Sequence, residues 1–185
     1  MIYGERIRLR APTRDDLPLF TSWLNDPEVR QYIALIMPFS IEDEERWFEA
    51  MLKRPQEEHP LVIEVRHAGE NEEQAWKPVG NVGLHEINWR VRSTELGIVI
   101  GEKDYWSQGY GSEAVHLMLR HGFETLNLNR IFLRVFESNP RAIRAYEKVG
   151  FVHEGRFRQA EYAQGEYIDV LLMSVLREEW LTGDV

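Results

Sequence analysis

Cysteine is absent from the 185 residues. That removes disulfides, thiolate metal sites and a cysteine nucleophile together. Also missing is any apolar run near the roughly 20 residues that cross a bilayer, so no membrane partner is expected. The opening residues, Met1-Ile2-Tyr3-Gly4-Glu5-Arg6, lack the apolar core of a secretory leader and pass straight into strand-like alternation. Cytoplasm is the expected location. Basic charge is scarce, with 22 Lys and Arg against 31 Asp and Glu and a net charge of −9. This argues against nucleic acid as a partner and favours a cationic one. None of the six histidines has the carboxylate spacing of a metal motif, and no metal site is expected.

What is present suits one domain over residues 1–185, since 43% hydrophobic residues supply a sizeable core. Ile7, Leu9 and Ala11 alternate with arginines as a half-buried strand. Thr13 caps a helix carrying Leu17, Phe20, Trp23 and Leu24, which Asn25-Asp26-Pro27 breaks; Val29, Tyr32 and Ile33 suggest one more short turn. Ser40, with Asp43 three residues on, caps the next helix, whose apolar face is Trp47, Phe48, Met51 and Leu52. Strands follow at 61–65, 76–87 and 93–101, with a polar turn from Gly69 to Gln74. Gly80 and Gly83 inside the second of these suggest a bulge or a close approach. Successive strands with short loops imply an antiparallel meander. A helix near 114–123, a strand at 130–136, a helix opened by Asn139-Pro140 and capped by Gly150, and closing strands at 151–159 and 167–176 complete the chain.

Two stretches carry chemistry. The first is Tyr105-Trp106-Ser107-Gln108-Gly109-Tyr110-Gly111-Ser112-Glu113-Ala114, lying between the strand Leu96-Gly97-Ile98-Val99-Ile100 and the helix beyond. A strand, a glycine turn and a helix N-terminus form an anion site, because glycine permits close backbone approach and the unpaired N–H groups and dipole favour negative charge. A diphosphate fits, although Gly-x-Gly turns also close ordinary strand–helix connections. The second is Glu137-Ser138-Asn139-Pro140-Arg141-Ala142-Ile143-Arg144-Ala145-Tyr146-Glu147-Lys148-Val149-Gly150-Phe151.

Asn-x-x-Ala-Ile-x-x-Tyr-x-x-x-Gly-Phe after a strand closely resembles the late motif of the GNAT acyl-CoA N-acyltransferases, and the first stretch resembles their pyrophosphate loop some thirty residues earlier. The Glu-Leu-Gly strand and Trp-x-x-Gly-Tyr-Gly-Ser-Glu-Ala resemble the branch holding ribosomal-protein alanine acetyltransferases and spermidine acetyltransferases. The resemblance implies an α/β (α+β) GNAT fold: a mixed, largely antiparallel sheet of six to seven strands, splayed at its centre, with about four helices. Trp106 departs from the general Gln/Arg-x-x-Gly-x-Gly/Ala pattern, which leaves the side-chain bond from that position open.

The implied reaction is attack by an amine on the thioester of acetyl-CoA, needing a base for the ammonium, donors for the oxyanion and an acid for the thiolate. Tyr146 is the expected acid, its alternative being a core aromatic. Asn139 contacts the pantetheine arm by analogy, or is a plain cap, or both. Backbone groups of Ile98, Val99 and Ile100 are expected on the pantetheine and the oxyanion. Trp106, Gln108, Gly109, Tyr110, Gly111 and Ser112 make up the cofactor loop, with its backbone N–H groups doing most of the binding. Glu95 is the candidate base, working through water, or else a paired strand carboxylate; His85 and Glu86 are weaker alternatives. With no cysteine, direct transfer in a ternary complex is favoured.

For the acceptor, Tyr32, Glu44, Trp47 and His85 are the candidates. Aromatics beside the acidic run Glu42 to Glu45 suit a cationic amine such as a polyamine or a protein N-terminus. A solvated helix with a core stripe explains the same run. Many members of the family are dimers, which implies a homodimer by analogy. Two other classes stay open: a non-catalytic acyl-CoA sensor of the same fold, and an unrelated nucleotide-binding protein. The latter calls for regular β–α alternation and a Lys-Ser/Thr loop ending that this chain lacks.

Overall fold

The computed structural model describes residues 1–66 and 76–183; the polar turn expected from Gly69 to Gln74 and the acidic residues at 70–73 lie outside them. Among the described residues, eight strands form a sheet in the order β1-β2-β3-β4-β5-β6-β8-β7. They are β1 (Ile2–Tyr3), β2 (Ile7–Arg10), β3 (Leu61–Arg66), β4 (Trp76–Asn88), β5 (Ser93–Ile100), β6 (Arg130–Phe136), β7 (Val152–Ala163) and β8 (Glu166–Leu176). Every neighbouring pair is antiparallel except β5 with β6. The described residues also form six α-helices: α1 (Leu17–Asn25), α2 (Pro27–Arg30), α3 (Ile41–Met51), α4 (Tyr110–Arg120), α5 (Pro140–Lys148) and α6 (Arg177–Thr182).

The counts exceed the expected six to seven strands and four helices. The additions are short: two residues of β1 cannot show alternation, and α2 and α6 hold four and six residues, too few for a helical stripe. The expected caps are present: Ser40 and Asp43 bond reciprocally at α3, and the Asn139 carboxamide accepts the Ala142 N–H at 3.1 Å. No helix among the described residues is long and apolar enough to cross a membrane.

Alternation divides the core between the two faces of the sheet. Ile63 and Val65 of β3 join a large cluster under α4, while Val62 joins a smaller one under α1 to α3 with Phe20, Trp23 and Phe48. Helix α4 buries Ala114, Val115, Leu117, Met118 and Leu119. Each large side chain so buried contributes roughly 1.5–3 kcal/mol, enough together to hold the helix and its N-terminus in one place.

Glycine shapes the centre of the sheet. A Cβ at Gly80 would lie 2.1 Å from the Val99 carbonyl oxygen, so only glycine lets the end of β5 close onto β4 there. The β3–β4 register also shifts at Ile63/Glu64, the irregularity expected near Gly80. On its other side β5 meets β6 for just three residues, Ser93↔Arg130, Thr94↔Ile131 and Glu95↔Phe132. Beyond Glu95 the two strands part, β5 following β4 and β6 following β8.

Candidate active site

The parting of β5 and β6 opens a cavity of about 990 Å³. Leu96 to Ile100 line one wall and Arg134 to Phe136 the other, with α5 across the gap. The free side of β5 is an unpaired strand edge inside the protein, a place where an extended ligand can complete the ladder.

The turn at one end of the cavity is fixed by distant residues. Ser107 has φ +59° and Gly109 φ +87°, left-handed values that suit glycine at 109. The Arg6 guanidinium donates to the Gln108 carbonyl at 3.0 Å and lies over the Tyr110 ring. Glu113, in the first turn of α4, accepts the N–H groups of Glu5 and Arg6, both at 2.9 Å, and the Arg6 Nε–H at 3.0 Å. The acid nearest the helix N-terminus is therefore already paired. Gly111 differs from Gly109, since a Cβ there would meet nothing closer than Ile100 at 3.7 Å. The folded chain itself therefore leaves room for a side chain at 111.

Trp106, Gly109, Gly111 and Ser112 line the cavity, whereas Gln108 and Tyr110 do not. The Gln108 side chain turns back to the Asp104 carbonyl, and Tyr110 packs on Tyr105. The Trp106 indole N–H donates to the Ile100 carbonyl at 2.7 Å, which settles the open question at that position: its bond goes to protein. Its ring carries the Arg141 guanidinium at 3.8 Å. Arg141, Arg144 and Lys148 all line the cavity from α5 without an ion-pair partner among the described residues. Sequence reasoning passed over these cations, though their i, i+3, i+7 spacing on one helix face was a usable signal. Together with the glycine turn they fit a phosphate-bearing group.

Tyr146 and Asn139 also line the cavity from α5. The Tyr146 ring packs 5.8 Å from Phe151, and Gly150 at φ +93° ends the helix beneath it. Its hydroxyl has no hydrogen-bond partner among the described residues. Burial pushes that hydroxyl up to about 12, so it carries its proton throughout the neutral range.

Glu95 sits where β5 and β6 part, and Arg134 grips both its oxygens, at 2.8 and 2.9 Å. Each oxygen keeps lone-pair capacity for water or an ammonium. His85 stands directly across β4–β5 from Glu95, and burial pushes its imidazole down despite that carboxylate. Its ring is seated over Gly97, where a Cβ would lie 2.8 Å from Nε2.

Of the four acceptor candidates, Tyr32 alone lines the cavity; Glu44, Trp47 and His85 lie outside it. Glu44 is 3% exposed on the inner side of α3, where burial and then Asp43 push its carboxyl up. Trp47 packs edge-on against Phe20. Both follow from the apolar stripe that turns one side of α3 inward. The cavity is also lined by Ile33 and Ala34 beyond α2 and by Phe157, Ala160 and Glu161 of β7.

The chain matches the acetyltransferase (GNAT) domain over residues 6–152. It is 31% identical over 182 residues to an uncharacterized N-acetyltransferase, p20, of Bacillus licheniformis, covering 97% of each chain. It is 29% identical to a spermidine N(1)-acetyltransferase of Vibrio cholerae, covering 96% of this chain and 97% of that one. A crystal structure of the spermidine N-acetyltransferase from Vibrio cholerae in complex with CoA and spermine superposes with a TM-score of 0.85 at 28% identity, covering 96% and 99%. The chain belongs to the GNAT family: it is an N-acetyltransferase, and its acyl donor is acetyl-CoA.

Proposed function

We propose that this GNAT acetyltransferase moves the acetyl group directly onto a primary amine of a small cationic acceptor, a polyamine first among them. The observation that carries the reading is one cavity lined by a glycine turn with three cations of α5, by the carboxylates Glu95 and Glu161, and by Tyr146, whose hydroxyl has no hydrogen-bond partner among the described residues. The similarity to a protein crystallised with CoA and spermine supports the same acceptor class.

Acetyl-CoA supplies the activated acyl group; the chain holds, orients and moves protons. Backbone N–H groups of the turn over residues 107–112, backed by Arg141, Arg144 and Lys148, hold the diphosphate. The edge of β5 from Ile98 to Ile100 and the Asn139 carboxamide hold the pantetheine arm. An N–H of that edge faces the oxyanion. A primary ammonium, with a pKa of about 10, must first lose a proton. Glu95, fixed by Arg134, orients the water that takes it. As the C–N bond forms and the C–S bond breaks, Tyr146 donates its hydrogen bond to the sulfur, and the nitrogen's surplus proton ends on the thiolate. With no cysteine nucleophile, no acyl-enzyme is invoked.

Release of CoA thiol, read with a thiol-reactive dye, tests this, and the cysteine-free chain gives no background. Spermidine and spermine should drive release, with aminoglycosides, single amino acids and peptides beginning with Ala or Ser weaker. Silence across the panel while acetyl-CoA still raises the melting temperature would favour the sensor alternative. We also place the chain in homodimers, supported by the long, exposed edge strand β7, and in the cytoplasm, where acetyl-CoA is supplied. Sedimentation tests the dimer.

A further inference from the structure

The acceptor end of the cavity holds a carboxylate that the transfer chemistry does not use. Glu161, on β7, is half-buried and lines the cavity together with its neighbour Ala160. In a regular strand two consecutive side chains point to opposite faces, so both cannot reach one cavity. Here the strand is bulged. The β7–β8 register runs from Phe157↔Val170 to Glu161↔Ile168, four steps on β7 against two on β8. Gln159, inside the bulge, adopts φ +49°, and its N–H donates to Asp169 Oδ1 at 2.8 Å. Arg156 holds the other oxygen of Asp169 at 3.3 Å. The irregularity is thus fastened by side chains, and bulges of this kind re-aim residues at sites.

Glu95 and Glu161 are the two carboxylates among the described residues that line the cavity. The Arg134 guanidinium is raised by its hydrogen bonds to Glu95 and then by the fields of Glu95, Glu161 and Glu86. Arg134 bonds both oxygens of Glu95 and makes no hydrogen bond or ion pair with Glu161. Glu161 has no hydrogen-bond or ion-pair partner among the described residues. Phe157 and Tyr32 line the same cavity, aromatic surfaces suited to a methylene chain or an ammonium face. Arg141, Arg144 and Lys148, the other charges of the cavity, belong to α5 and are left to the phosphates.

We propose that Glu161, presented by the Asp169-fastened bulge, is a specificity-determining residue that takes a second cationic centre of the acceptor, so that diamines and polyamines are selected over monoamines. The inference rests on the reading of the cavity as an amine-acceptor site.

The test compares the unaltered protein with Glu161→Gln and Glu161→Asp, using spermidine and butylamine. Calorimetry in the presence of CoA reads binding, and thiol release reads turnover. The unaltered protein should bind spermidine more tightly than butylamine. Glu161→Gln should weaken spermidine roughly tenfold or more, the usual loss for a hydrogen bond to a charged group, while butylamine changes by less than about twofold. Glu161→Asp should recover part of the difference. Equal spermidine affinity in Glu161→Gln, an equal loss for both amines, or no binding of either amine to the unaltered protein would overturn the assignment. Selective binding that depends on Glu161, with no transfer to either amine, would instead overturn the acetyl-transfer reading and leave this one standing. Transfer to both amines that ignores the substitution would do the reverse.

Discussion

Replacing Tyr146 with Phe removes one oxygen atom and separates chemistry from binding. The hydroxyl has no hydrogen-bond partner among the described residues, so its loss breaks no hydrogen bond there, and the melting temperature should hold within about 2 °C. The size of the kinetic effect follows from the shifted hydroxyl. Burial raises Tyr146 to about 12, whereas an ordinary thiol ionises near 8.5. A phenol is by itself a weaker acid than a thiol, so complete proton transfer from this phenol to the departing thiolate would be uphill. Tyr146 therefore acts by donating a hydrogen bond to the sulfur as charge develops, not by surrendering its proton outright. Such a bond to a charged partner is worth about 1.5–3 kcal/mol, or roughly 10- to 150-fold in kcat. Steady-state thiol release gives kcat, and calorimetry with CoA gives the affinity, which should change by less than about twofold. An unchanged kcat would refute the donor role. A matching loss of CoA affinity would make Tyr146 a wall of the pocket. A fall beyond about a thousandfold would mean that the proton is fully transferred after all.

Gly111→Ala, whose new methyl meets no protein atom closer than 3.7 Å, should keep its fold yet lose acetyl-CoA affinity tenfold or more by titration; retained affinity would refute the close approach. Gly80→Ala drives a Cβ to within 2.1 Å of the Val99 carbonyl and should lower unfolding stability by about 3 kcal/mol in urea, with a loss below 1 kcal/mol counting against the packing argument. Glu44→Gln should stabilise the protein by about 1 kcal/mol at pH 7. Its carboxyl is raised by burial in the folded state, so the stability linked to it is full below the unfolded pKa of 4.5 and is lost as pH rises through the folded value. The gain in the variant should accordingly vanish below about pH 4, and denaturation curves at pH 4 and 7 check the sign.

The legible parts of the site were local ones. The left-handed glycine turn before α4, the Asn139 cap and the Tyr146 position lie within short stretches whose geometry is set by neighbouring residues. Two glycines in β4 likewise announced a close approach, which Gly80 makes against Val99. The acidic helix misled for a physical reason: a carboxylate within an apolar stripe is carried inward with the stripe, and Glu44 went with Phe48 and Met51 into the core.

The amino-acid sequence alone determined which backbone segments turn, cap and alternate, because those choices are made within a few residues and follow hydrophobic period and glycine or proline chemistry. Tertiary structure alone decided who meets whom across the chain. Arg6 reaches the loop from 102 residues away, Arg134 takes both oxygens of Glu95, and Trp106 spends its N–H on Ile100. The aim of Glu161 likewise depends on a bulge held by Asp169 of the neighbouring strand. Such pairings depend on strand order and register, where a shift of one residue turns every side chain to the other face, and no local pattern encodes that.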